Sequence, residues 1–113
     1  EASVRALSGG ALQHRIIEAR SLAMHCLAAR KIEHDPALLD QVRQTLELWR
    51  SRYGENTPRA LDEWKAILRQ SWPAIAAFIT DQGERAMRLR QSTPFAGVLS
   101  ARERERVYAA FRS

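Results

Sequence analysis

The sequence predicts an all-α fold, a small bundle of five or six helices. Apolar residues recur three and four apart along nearly the whole chain, the spacing of a helix face. No stretch alternates apolar and polar residues as a half-buried strand would. Proline and glycine fall at regular breaks, so the pattern divides into short rods. At 113 residues the chain suits one domain with one modest core.

Residues 1–10, which end in Ser8-Gly9-Gly10, read as a flexible arm, and 11–113 as the helical domain. The first helix is expected over 11–34, with Leu12, Ile16, Ala19, Ala23, Cys26 or Leu27, and Ile32 along it. Asp35-Pro36 suits an N-cap followed by a first-turn proline, opening a helix over 36–53. Leu39, Val42, Leu46, Trp49 and Tyr53 form its stripe, and Gly54 is its stop. Thr57-Pro58 repeats the start signal for a helix over 58–71 bearing Leu61, Trp64, Ile67 and Leu68. Trp72-Pro73 breaks the pattern, and Trp72 is expected to plug the corner. A short apolar helix over 73–80 follows. Asp81 and Glu84 have capping-box spacing, for a helix over 82–91, and Ser100 and Glu103 repeat it for a helix over 101–111.

Composition narrows the function. Hydrophobic residues make up 45% and charged residues 27%, a globular balance. Cys26 is the only cysteine, so no intrachain disulfide forms, which fits a reducing cytoplasm. No apolar run reaches the roughly 20 residues that span a bilayer, and no secretory leader is recognisable. The net charge is +5, and most of it lies at one end. From Glu84 onward seven arginines face three glutamates, against 11 basic and 10 acidic residues before it. A basic field of this kind attracts acidic protein faces, phosphates or nucleic acid.

Catalytic and metal signals are thin. His14, Glu18, Ser21 and His25 share a helix face, but the two histidines lie about 16 Å apart at 1.5 Å per residue. One ion cannot take both, and no cofactor or metal site is expected. Arg20 and His25, with four residues between them, resemble the motif of the helical HEPN ribonucleases. That resemblance implies RNA cleavage with arginine on phosphate and histidine in proton transfer. The two project about 140° apart around an ideal helix, which counts against a shared site. Trp49, Trp64 and Phe78 lie on apolar stripes and are expected in the core.

The segment 88–106 is the strongest site candidate. Pro94-Phe95-Ala96-Gly97-Val98-Leu99 is an apolar loop where loops are normally polar. Either the domain's own core covers it or a partner does. In the second case Phe95, Val98 and Leu99, entered through Pro94, form an anchor rimmed by Arg88, Arg90, Gln91 and Arg102. A desolvated anchor inside a polar rim is the anatomy of a protein-binding hot spot. On that reading Phe95→Ala with Arg88→Ala weakens binding without unfolding the domain. Arg85, Arg88, Arg102 and Arg106 could instead line a nucleic-acid track, although no aromatic platform is interleaved with them.

The residues 14–25, Asp35-Pro36-Ala37-Leu38-Leu39, Trp49, Glu63-Trp64 and above all 88–99 resemble small helical bacterial proteins encoded beside nucleotidyltransferase-like partners. The resemblance spans about 14–110, with Thr93 where serine is usual and Cys26 where a basic residue is usual. It implies the antitoxin side of a toxin–antitoxin pair: a non-enzymatic, cytoplasmic module that neutralises a toxin enzyme by occluding its acidic cleft.

Overall fold

A computed structural model describes the backbone of residues 2–112 and the side chains of residues 10–112. Among them are six α-helices and no strand: α1 Ala2–His34, α2 Ala37–Tyr53, α3 Arg59–Leu68, α4 Trp72–Ile79, α5 Glu84–Arg90 and α6 Ala101–Ala110. Short 3₁₀ turns at Gly54–Asn56 and Ala96–Val98 complete the chain.

The backbone of 2–10, expected as an arm, continues α1. Ala2, Arg5, Ala6 and Leu7 are good helix formers, and the cost of Gly9 and Gly10 is about 1 kcal/mol each. The side chains of residues 1–9 lie outside the described ones. Gly54 ends α2 at φ 58°, a conformation that favours glycine, and its N–H donates to the Arg50 carbonyl. At the close of α3 the Arg43 guanidinium donates twice to the Leu68 carbonyl, at 3.2 and 3.1 Å.

Three expected caps do not form. No side chain caps α2, although the Leu38 N–H bonds the Asp35 carbonyl at 3.0 Å. The Thr57 hydroxyl donates backward to the Gly54 carbonyl and leaves the start of α3 uncapped. Asp81 accepts from the Gly83 N–H in a local turn, so its carboxylate does not cap α5. The second expected box, at Ser100, is complete: its hydroxyl accepts from Glu103 N–H and the Glu103 carboxylate from Ser100 N–H.

The core draws on every helix up to α5. Ala28 and Ile32 of α1 meet Leu39, Val42 and Leu46 of α2, Leu61, Trp64, Ile67 and Leu68 of α3, Ile75 and Ile79 of α4, and Leu89 of α5. Trp64 is fully buried, and its indole N–H donates to the Leu89 carbonyl at 3.0 Å. A buried indole needs such a partner. Half-buried Trp72 reaches across to α1, where its indole N–H donates to Glu33. The first described turns of α1 pack least, with Leu12 and Ile17 exposed.

Candidate protein-binding site

The segment after α5 is pinned at three places. Thr93 Oγ1 accepts from the Phe95 N–H at 3.1 Å, which turns the chain inward. Phe95 then enters a slot between Trp64 and His25, with ring centroids 5.7 and 6.1 Å away. His25 Nε2 lies 2.7 Å from Thr93 Oγ1, and His25 Nδ1 lies 2.7 Å from the Ser21 carbonyl. One proton arrangement satisfies every group: Nδ1–H donates to Ser21, and the threonine hydroxyl donates to Nε2. That ring is neutral. Burial, supported by the charge of Arg90 and opposed by the Ser21 bond, pulls the His25 pKa from 6.5 to about 4.

The third pin is Lys31. Its ammonium donates to the Val98 carbonyl at 2.7 Å and to the Glu103 carboxylate at 2.6 Å. That contact and the Ser100 cap hold the Glu103 pKa at about 2.

The exposed-anchor expectation is therefore corrected. Phe95 is 1% exposed, and Pro94, Val98 and Leu99 are buried with it. The loop can be apolar because Thr93 and Lys31 satisfy its backbone, while Trp64 and His25 leave a slot of aromatic size. Arg90 also leaves the rim. It is buried and donates to the Ile79 and Asp81 carbonyls, at 3.2 and 2.6 Å, closing the end of α4. Arg88, Gln91 and Arg102 remain at the surface. Arg88 grips Glu63 of α3 through two bonds, at 2.9 and 3.3 Å.

Behind the buried loop lies an open groove of about 780 Å³. Trp49, Arg52 and Tyr53 from the end of α2 form one wall. Pro58, Ala60 and Leu61 form the floor, and Gln91, Ser92, Thr93 and Ala96 the other wall. Tyr53 is 51% exposed and Trp49 is half-buried. Trp49 packs partly against the core, as its place on the α2 stripe predicts, whereas Tyr53 at the end of that stripe stays exposed. The available signal was Gly54: a stripe that reaches the helix stop has no next turn to cover its last member.

Arginines border the groove. Arg52 lines it, and Arg59 stands between two of its floor residues. The Glu63 pKa is lowered from its ordinary value, first by its bond with Arg88 and then by the charges of Arg88, Arg85 and Arg59. Arg88 thus pairs with Glu63, and the charges of Arg85 and Arg59 lie near enough to be felt there.

The other candidate constellations come apart. His14 pairs with Glu18 at 3.0 Å, while His25 points into the core. Among the described residues no three potential ligands converge on a metal position. Arg20 lies over the Tyr108 ring, 4.3 Å from its centroid, and so away from buried His25. On α6, Arg102, Arg104 and Arg106 are exposed, and Glu105 pairs with Arg112. No described helix is long and apolar enough to cross a membrane. Compared with known proteins, the chain matches no family profile, no curated protein and no solved structure.

Proposed function

We propose that this chain is a protein-binding module, the antitoxin side of a bacterial toxin–antitoxin pair whose toxin is nucleotidyltransferase-like. The observation that carries the binding reading is the open, aromatic-walled groove beside a rigidly pinned loop. A preformed surface loses little entropy on binding, so its contacts convert into affinity. The toxin assignment rests on the resemblance of residues 14–110. Arginine supports the occlusion mechanism, because carboxylates that hold metal and nucleotide in an enzyme cleft attract guanidinium groups.

Co-expression tests this reading. The reading requires a nucleotidyltransferase-like protein encoded beside this chain that arrests growth alone and loses that effect when the chain is supplied. Arrest that persists at matched expression removes the antitoxin role.

Nucleic-acid binding is the second reading, favoured by exposed Arg102, Arg104 and Arg106 along α6. It requires retention on DNA or RNA that falls steeply with salt. The ribonuclease reading has less support, since Arg20 and His25 diverge.

A further inference from the structure

We infer that the groove between the end of α2 and the 91–96 loop receives a short segment of a partner protein, in which an apolar side chain is flanked by carboxylates. This rests on the protein-binding reading above and adds the chemistry of what is bound.

The floor requires the apolar element. Pro58, Ala60 and Leu61 offer no side-chain hydrogen bond, and Trp49 and Tyr53 line the groove beside them. Covering half-exposed Tyr53 removes apolar surface from water, the general source of affinity at such a site. The polar wall suits a peptide backbone. Gln91 is exposed, and its amide supplies both a donor and an acceptor. Thr93 is already engaged by His25 and Phe95, and the Ser92 hydroxyl points to the Leu89 carbonyl.

The rim requires the carboxylates. Among the described residues Arg52 takes part in no ion pair, although neighbouring Arg50 has both Glu47 and Asp62. At the other end Arg88 pairs with Glu63, and Arg59 and Arg85 add further positive charge within reach of that carboxylate. Arg88 lies one helical turn before Gln91, so this excess positive charge borders the polar wall. Forked guanidiniums match carboxylates well. A nucleic-acid strand fits less well. Its regular phosphates would also approach the exposed Glu55, in the turn between Tyr53 and Pro58. Separate carboxylates can sit at the arginines alone.

Fluorescence anisotropy on the full chain tests the inference. The probes are a labelled eight-residue peptide alternating glutamate and leucine, its lysine–leucine counterpart, and a labelled single-stranded DNA of similar length. The glutamate peptide should bind saturably below about 1 mM, the weak end of specific recognition. Tyr53→Ala and Arg52→Glu should each weaken it at least tenfold with the helical circular dichroism unchanged. Arg30→Glu, an exposed change on α1, should leave it unaltered. Tighter binding of the lysine peptide or of the DNA overturns the inference, as does no saturation by the glutamate peptide. So does an equal loss in Arg30→Glu, which reports unspecific attraction. The co-expression assay separates the two proposals. Rescue that survives both groove variants removes the groove and leaves the antitoxin role standing. Groove-dependent peptide binding without rescue by the wild type does the reverse.

Discussion

His25 is a histidine kept neutral by its surroundings, and this makes stability depend on pH. Its folded pKa is about 4, below the 6.5 of the free side chain. Below pH 6.5 the unfolded chain binds a proton that the folded one refuses, so stability falls with pH until the folded ring also titrates near 4. Between pH 7 and pH 5 the loss should be about 2 kcal/mol, at 1.36 kcal/mol per pKa unit. Urea unfolding at the two pH values measures it, and His25→Gln should flatten the difference. Phe95 gives the second residue-scale expectation. Its ring is 1% exposed between Trp64 and His25, so Phe95→Ala should cost about 3–5 kcal/mol through lost burial and an unfilled cavity. That replaces the expectation that this change spares the fold. Calorimetry decides: an unchanged transition temperature would mean that the slot collapses or was never filled.

At the scale of helices, two start signals that the sequence offers differ in strength. Ser100 forms a reciprocal box with Glu103, so Ser100→Ala should cost about 1 kcal/mol. Asp35→Ala should stay within about 0.5 kcal/mol, because the Asp35 side chain caps nothing. Denaturation midpoints of the two variants check the contrast. The same contrast explains what was legible in the sequence. Periodicity and breakers located the helices because both are local: Gly54 stops α2 by its own backbone freedom, and Pro73 lies in the first turn of α4. Caps depend on where a short side chain turns, and Asp81 and Thr57 found nearer partners. The site was legible only in outline. The 94–99 run announced itself as apolar, but whether Phe95 faces inward depends on Trp64, 31 residues earlier, and on His25, 70 residues earlier. The groove depends likewise on α2 and the loop meeting across distant sequence.

Over the whole molecule, packing is uneven along its longest element. The principal extents are 49 × 34 × 24 Å, and the 33 residues of α1 account for the longest at about 1.5 Å each. Beyond Ser21 the helix supplies His25, Ala28 and Ile32 to the core, while Leu12 and Ile17 stay exposed. Amide hydrogen exchange should therefore be much faster over 10–17 than over 25–33, since local opening follows the density of buried contacts. Uniform protection along α1 would contradict this. The buried end of the helix also carries Lys31, whose ammonium holds the Val98 carbonyl and the first turn of α6 together. If the 91–99 loop lifts away, Val98 leaves that ammonium and Glu103 must hold it alone. Lys31 thus ties the loop to the last helix, while Thr93, His25 and the Phe95 slot hold the loop independently of it. Pulled from the C-terminus, α6 should come away first, as Glu103 parts from Lys31, and the Phe95 slot should open only in a later step.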